Sequence, residues 1–365
     1  MIPTLGKGGA EDIIISMANN FCKKYEVTIF ILRREEDDKY NISRLSKRVN
    51  IISLSEYYDS DKPLSGLLAA YSAIKIFFSK KFYDFDIIHT NLTLSSLLAT
   101  CYQVISIIPF YSKPKYIETF HTNFHLIDWK RLAIFIIGWN LRHRLVYEIN
   151  KNEIKNLNKV ILNRKKIIFI PFSADAHKQD ASYKIKIHKR YKYSLMTVSR
   201  MRLFEKKIST MIDTLNILIN KFNASFELIL AGDGKDMKKI KDKVSKLGLS
   251  DNVKFLGYVD NPAEVIDECD FYMCAMVGDD PGISGIQACQ RKKPLIGIQT
   301  LSGFTSSPIK SSSSADEIAK MIFRLSENEN NYQKYAKLCK NHAEKEFSVS
   351  KMINSYTLLY KEILC

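Results

Sequence analysis

Leu195-Met196-Thr197-Val198-Ser199-Arg200-Met201-Arg202-Leu203-Phe204-Glu205-Lys206-Lys207 decides the fold of this chain. Its first half, Leu195–Arg200, is a short, partly β-branched run, which predicts a strand. Its second half is a basic loop that leads into a helical pattern. A polar, lysine-rich stretch, Ala176–Tyr193, precedes it. The same alternation follows it, with strands expected at Phe226–Gly232, Asn252–Tyr258, Asp270–Ala275 and Pro294–Ile298. An earlier set is expected at Val27–Leu32, Asn50–Leu54, Phe85–Thr90, Tyr116–His121, Arg144–Ile149 and Ile167–Phe172. Helical segments separate nearly all of them. Alternation of this kind builds parallel sheets covered on both faces, an α/β fold. Because the pattern restarts after residue 190, two sheets and two domains are expected, 1–175 and 176–347. A final amphipathic helix, 348–365, is expected to start from an N-cap at Ser348 and to carry Met352, Ile353, Tyr356, Leu359, Tyr360 and Ile363.

The bulk composition agrees. A chain of 365 residues, 46% hydrophobic and 26% charged, is globular and long enough for two cores. No basic segment followed by an apolar one opens it, and no apolar run is long enough to cross a bilayer. Seven scattered cysteines contain no C-x-x-C pair, so free thiols in a reducing cytoplasm are expected rather than a zinc site. The formal charge of +16 is concentrated. Residues 113–166 carry 12 Lys/Arg against 4 Asp/Glu, and 176–210 carry 10 against 2, whereas 211–365 balance at 20 against 20. Such a block is a solvated basic face, or else a surface that attracts phosphate or an anionic membrane.

In open parallel sheets ligands bind at the carboxyl ends of the strands, and three segments there could carry chemistry. The turn Gly6-Lys7-Gly8-Gly9-Ala10-Glu11 follows Met1-Ile2-Pro3, which looks like the end of a first strand; either that strand is short or the natural start lies upstream of Met1. Glycines there let backbone approach a ligand, or merely make a tight turn. Arg200 and Lys206 place two cations after a strand, where they can neutralise a diphosphate leaving group, or belong to an ordinary charged loop. Gly278-Asp279-Asp280-Pro281-Gly282-Ile283-Ser284-Gly285-Ile286-Gln287 opens a helix whose free amides suit phosphate or sugar hydroxyls. In the plain reading Asp279 and Asp280 cap that helix.

The ordered set of motifs resembles the retaining glycosyltransferases of family 4, which have the GT-B fold of two Rossmann-like domains with a donor cleft between them. The matches are Val198-Ser199-Arg200 with Glu205-Lys206, Ala231-Gly232-Asp233-Gly234, Asp251-Asn252-Val253-Lys254-Phe255-Leu256-Gly257, Lys292-Lys293-Pro294-Leu295-Ile296 and Glu344-Lys345-Glu346-Phe347-Ser348. The Pro3-Thr4-Leu5-Gly6 to Glu11 loop also fits, as does His121 after its strand. The family's two glutamates, eight positions apart, are Asp279 and Gln287 here, and its interdomain glycine is Ser173.

The resemblance implies an enzyme that moves a sugar from a nucleoside-diphosphate sugar, with retention, with no metal and no other cofactor. Arg200 and Lys206 would stabilise the departing diphosphate. Gly8 and Gly9 would line the donor, and His121 and Asp279, with Asp280 beside it, would meet the donor sugar. Amides of Gly282, Ile283 and Ser284 would hold sugar or phosphate, Gln287 the ribose, and Gly257 and Tyr258 the base. The final helix would return to the N-terminal domain. His89 and His125 are expected to be structural.

The acceptor is expected to be a glycan or lipid-linked glycan of cell-surface polysaccharide such as lipopolysaccharide. Residues 125–149, with Trp129, Lys130, Arg131, Arg142 and Arg144, could seat the enzyme on the inner, anionic face of the cell membrane. A buried core helix with basic ends reads equally well there. Residues 69–83 are a second candidate. Rival readings are a GT-B nucleotide-sugar epimerase and a silent sugar-nucleotide binder. Nucleic acid is not expected, since no recognition motif accompanies the charge.

Overall fold

The computed structural model describes residues 1–365 except 7, 33–37, 54–84, 106–113, 122–135, 137, 149–153, 155–160, 163–166, 174–186, 189, 260–261, 278 and 300–306. His125 and residues 69–83 therefore lie outside the described residues, as do most of 125–149. The chain divides into two compact units, Met1–Phe172 with Val349–Cys365, and Ser173–Ser348.

The first unit runs α1 (Gly9–Phe21), β1 (Val27–Ile31), α2 (Asp38–Ser43), β2 (Val49–Ser53), β3 (Ile87–Asn91), α3 (Thr93–Ile105), β4 (Lys115–Phe120), β5 (Arg144–Tyr147) and β6 (Ile167–Phe169). β1 and β2 pair in parallel, and β3, β4, β5 and β6 pair in parallel in that order. Met1 and Ile2 join the two groups. Ile2 N donates to Phe30 O (3.0 Å), Leu32 N to Ile2 O (3.1 Å), and Asn91 N to Met1 O (3.0 Å). The short first strand expected from Met1-Ile2-Pro3 is thus a bridge about as brief as a strand can be. Ile2 and Leu5 are fully buried beneath it.

The second unit runs β7 (Tyr193–Val198), α4 (Ile208–Asn220), β8 (Phe226–Ala231), α5 (Met237–Lys246), β9 (Val253–Gly257), α6 (Pro262–Ile266), β10 (Phe271–Met276), α7 (Gly282–Gln290), β11 (Leu295–Gln299), β12 (Ser311–Ser312), α8 (Ala315–Ser326) and α9 (Glu329–Glu346). Its six-stranded sheet has the order β12-β11-β10-β7-β8-β9, and all the pairings are parallel. Every residue of Phe226–Ala231 is buried, as a central strand covered on both faces must be. Each such Leu, Ile or Phe contributes about 1.5–3 kcal/mol by leaving water.

One strand was not expected and one reading of the sequence needs correction. Ser311–Ser312 forms the edge strand β12, and Ser314 caps α8 by accepting from Glu317 N. The Ser-x-x-Glu spacing of a capping box carries that signal. Arg142 is not a surface cation. It is fully buried, and its Nε donates to Glu118 Oε2 (3.1 Å), its Nη1 to Gln103 Oε1 (2.8 Å) and its Nη2 to Ser96 O (2.8 Å). Trp139 Nε1 donates to the other Glu118 oxygen (3.0 Å). Trp139 and Arg142 are therefore core residues, and the guanidinium is tolerated inside because each of its nitrogens has an acceptor.

The last helix, α10 (Val349–Leu364), belongs to the first unit. It packs against α1, where Tyr360 lies 5.2 Å from Phe21 between ring centroids. Met352, Tyr356, Leu359 and Ile363 form its buried face.

Candidate functional site

The order of the second sheet locates its site. From β7 the chain winds outward through β8 and β9, then crosses back to place β10 on the other side of β7. Between β7 and β10 the connections leave in opposite directions, which opens a crevice at the strands' carboxyl ends. The Arg200–Lys206 loop follows β7, and the segment 277–284 follows β10. Two of the segments singled out in the sequence thus meet at one switch point.

Hydrogen bonds fasten them there. Val198 N, at the end of β7, donates to Tyr272 Oη (2.9 Å), and Ser284 Oγ on α7 donates to Val198 O (3.0 Å). Burial, above all, raises the Tyr272 hydroxyl's pKa, so it stays protonated and also donates to Val198 O (3.3 Å). On the other side, the Ala231-Gly232-Asp233-Gly234 turn packs directly on the loop. Met201 N donates to Asp233 O (2.9 Å), Asp236 N to Met201 O (3.2 Å), and Leu203 N to Asp236 Oδ2 (3.1 Å). A Cβ on Gly232 would stand 2.0 Å from Ser199 O, and one on Gly234 2.6 Å from Met201 O. The glycines are there for close backbone approach, which holds the loop that bears the two cations.

Arg200 projects into solvent, its side chain 71% exposed, with Nη2 only 3.9 Å from Glu205 Oε1. A loose, exposed pair of this kind leaves the guanidinium available to an anion. Lys206 is half-buried and precedes Lys207, whose left-handed backbone (φ 55) caps α4. α4 starts at Ile208, two residues after Lys206. The buried Cys274 thiol registers both neighbouring charges. Burial raises its pKa, Asp280 raises it further, and Lys206 lowers it. Lys206 and Asp280 therefore flank the end of β10.

Around α7 the acidic pair does structural work. Val277 and Asp280 exchange backbone hydrogen bonds. Asp280 Oδ1 accepts from Gly282 N (2.7 Å), and Asp279 Oδ1 accepts from Ser307 N (3.0 Å). The plain capping reading of Asp280 holds, and the Gly282 amide expected to meet ligand is engaged by it. Ile283 and Ser284 lie in the first helical turn, where amides have no intrahelical acceptor. Gly282 has φ 69, and a Cβ there would meet nothing within 4 Å, so space opens before the helix. Gln287 is 2% exposed, and its Oε1 has no hydrogen-bond partner among the described residues. Gly257, left-handed at φ 71, gives its carbonyl to Gly232 N (2.5 Å), and Tyr258 beside it is exposed.

The first unit has a switch point of its own, between the Met1–Ile2 bridge and β3. Gly8 is the extended N-cap of α1 and Gly9 its first residue. The preceding turn is clamped from α2: Leu5 N donates to Asp38 Oδ1 (3.0 Å), and Asn41 Nδ2 donates to the Leu5 (3.0 Å) and Gly6 (2.6 Å) carbonyls. No local pattern in the sequence pointed to Asp38 or Asn41. After β3, Leu92 is left-handed (φ 67), a strain of about 1–2 kcal/mol for a residue with a side chain.

His121, just past β4, has its side chain 6% exposed. Its Nδ1 is 2.9 Å from Glu148 Oε2, and its Nε2 2.9 Å from Asn91 Oδ1. His89, expected to be structural, bridges Thr119 Oγ1 (2.6 Å) and Tyr360 Oη (2.7 Å). Burial, first of all, holds its pKa well below the usual histidine range.

Residues 192–328 match the family model for Glycosyl transferases group 1. The fold is GT-B. HepE of Anabaena, solved with UDP and glucose, superposes with a TM-score of 0.78 at 15% identity, over 99% of this chain and 98% of HepE. A TarM mutant of S. aureus, solved with Fondaparinux, alpha-GlcNAc-glycerol and UDP, gives 0.68 at 12% identity, over 99% of each chain. The lipopolysaccharide outer core galactosyltransferase WaaB, in its apo form, gives 0.68 at 15%, over 99% of this chain and 100% of WaaB. None of the curated protein sequences compared gives a significant match. Domain match and fold together indicate a glycosyltransferase. Among the described residues no helix is long and apolar enough to cross a membrane.

Proposed function

We propose that this chain transfers a sugar from a nucleoside-diphosphate sugar to a glycan or lipid-linked glycan, with retention and without a metal, as the family 4 resemblance implies. One observation carries the donor part of the reading: the start of α7 is bonded through Ser284 to Val198, the last residue of β7 and two positions before Arg200, at the switch point of the second sheet. Two cations and a helix start converging at one place suit a diphosphate. Lys206 and Arg200 would take the charge that develops on the leaving group. The Ile283 and Ser284 amides would meet phosphate or sugar, Gln287 Oε1 would accept from a ribose hydroxyl, and Tyr258 would stack on the base. In the first unit Gly8 and Gly9 offer backbone to the donor, and His121 would orient a sugar hydroxyl. Support comes from the group 1 match and from the UDP and UDP-glucose bound in the HepE structures.

The likeness to WaaB, a lipopolysaccharide outer core galactosyltransferase, supports a surface-polysaccharide acceptor. An anionic inner membrane face as the place of work rests on the basic stretch 113–166, from which Arg142 is withdrawn by its burial. A second reading, a sugar-nucleotide binder without transfer, is favoured by the engagement of Asp279 and Asp280 in backbone hydrogen bonds.

The deciding experiment is a screen of UDP-, GDP-, ADP- and dTDP-sugars by thermal shift and by sugar release. One nucleotide class is expected to raise the melting temperature and to be hydrolysed slowly. Stabilisation without any hydrolysis or transfer would favour the binder, and no stabilisation by any of them would end the donor-site reading.

A further inference from the structure

Among the described residues of the second unit, Phe204 is the most exposed large apolar side chain, at 72%. Rings of that size are mostly drawn into cores. The turn that carries it is firmly held. Met201 N donates to Asp233 O, Asp236 N to Met201 O, and Leu203 N to Asp236 Oδ2. Lys207 N donates to the carbonyl of Phe204 itself (3.2 Å). The ring therefore stands in water on a fixed turn that is fastened to the start of α5.

α5 brings charge to the same place. One oxygen of Asp236 accepts from Leu203 N, and the other faces Lys239 Nζ at 3.7 Å, so Lys239 lies beside the turn. Lys239 is 70% exposed, and Lys235 and Lys238 near it are exposed as well. Residues 200–207 hold four cations against Glu205, and 233–239 hold three lysines against Asp233 and Asp236. The fold of α5 gains nothing from those lysines. Its first turn has no acidic residue, and ammonium groups there oppose the helix dipole. The helix is held instead by Ile240 and Val244 on its buried side.

We propose that Phe204 with Lys235, Lys238 and Lys239 is a seat for an anionic lipid surface, the ammonium groups meeting headgroup phosphates and the ring entering the layer beneath them. Charge and ring together select this occupant. A soluble polyanion would satisfy the lysines and leave the ring in water. An apolar partner would cover the ring and strip water from three ammonium groups. Aromatic rings favour the boundary between headgroups and acyl chains, where one layer is apolar and the other wet. The cations add up, since each Lys close to an anionic leaflet strengthens binding by about fivefold. The membrane reading above rests on residues 113–166, and this one uses none of them. The seat lies at the same end of the second sheet as Arg200 and Lys206, so it would hold the cation loop at the leaflet where a lipid-linked acceptor resides. That consequence rests on the acceptor reading above; the seat itself does not.

The test is co-sedimentation of the full chain with vesicles of phosphatidylcholine and phosphatidylglycerol, and with vesicles of phosphatidylcholine alone, without any sugar nucleotide. The parent should bind the mixed vesicles at low salt, lose most of that binding at high salt, and ignore the neutral ones. Lys235→Ala, Lys238→Ala and Lys239→Ala combined should weaken binding about 100-fold. Phe204→Ser should weaken it about tenfold and leave its salt dependence in place. All four side chains are exposed, so melting should be unchanged in both variants. Phe204→Trp supplies a second readout: the added fluorescence should shift to shorter wavelength on the mixed vesicles, as it does when an indole leaves water. A parent that ignores the mixed vesicles, a triple variant that binds as the parent does, or an added emission that the vesicles leave unchanged would each overturn the proposal. Binding to a single-stranded oligonucleotide but not to vesicles, lost in the triple variant, would give the lysines to nucleic acid and overturn it too. No donor or acceptor is present, so failure here leaves the donor-site reading standing, and failure of the sugar-nucleotide screen leaves the seat standing.

Discussion

Gly282 and Gly248 make a controlled pair for testing whether the start of α7 meets the donor. Both have φ 69, and a Cβ added to either would meet nothing within 4 Å. Replacing each by Ala therefore imposes the same left-handed strain with no clash, about 1–2 kcal/mol. For a unit the size of Ser173–Ser348, 1 kcal/mol lowers Tm by about 2–4 °C, so each variant should melt about 2–8 °C below the parent, and the two alike. They differ in place. Gly248 follows α5 at the far end of a surface helix, whereas Gly282 opens α7 and gives its amide to Asp280. Relief of the strain at Gly282 can come from turning the peptide, which moves the Asp280 cap and the first-turn amides behind it. UDP affinity, measured by calorimetry well below either Tm, should fall for Gly282→Ala and stay at the parent value for Gly248→Ala. Equal affinities in the two variants would refute the reasoning, because the helix start would then be irrelevant to the nucleotide. A Tm loss much larger for Gly282→Ala would refute the other half, the open space before the helix.

Arg200→Ala and Lys206→Ala should each lower kcat by about 100-fold or more, as loss of a group that stabilises developing charge does, with melting unchanged because Arg200 is exposed and loosely paired; an unchanged turnover number removes the residue from the mechanism. Arg142→Ala should cost about 3–5 kcal/mol, since it strands Glu118 without its buried partner. Loss of Tm on the order of 10 °C, with liposome binding unaffected, is the expected pair of results, and weakened binding to anionic liposomes with normal Tm would restore Arg142 to the surface.

What the sequence disclosed follows from the range of the interactions involved. Strands such as Phe226–Ala231 were legible because burial on both faces demands apolar residues in succession, and their neighbours in the chain reveal it. The restart at Leu195 was legible for the same reason, and so was the pair Arg200 and Lys206, whose position after a strand is a local fact. The ends slipped: Arg200 lies two residues beyond β7, because strand limits are set by the partner strand's ladder. β12 escaped notice for the same cause, since two serines become a strand only by lying beside Gly297 and Ile298. Arg142 was misread because its partner Glu118 sits 24 positions away, on β4. Charge type alone places an arginine outside, and only the fold reveals the carboxylate.

His121 marks the far limit of this rule. Its position after a strand was readable, and its partners were not: Asn91 is 30 positions away and Glu148 is 27, while Tyr356 reaches the carboxylate from 208. Each of these side chains is ordinary in its own stretch. Glu148 follows a buried strand, where a carboxylate without a cation looks like an error. Tyr356 supplies a donor to one of its oxygens, and the other lies 2.9 Å from His121 Nδ1. That hydrogen bond from Tyr356 ties the last helix to the end of β5 more firmly than apolar packing alone would. Packing tolerates a rotated or substituted helix, but a buried carboxylate does not tolerate the loss of its donor. The bonds of Tyr356 to Glu148 and of Tyr360 to His89 therefore favour one register of α10 over its neighbours, because a shift of the helix would strand both.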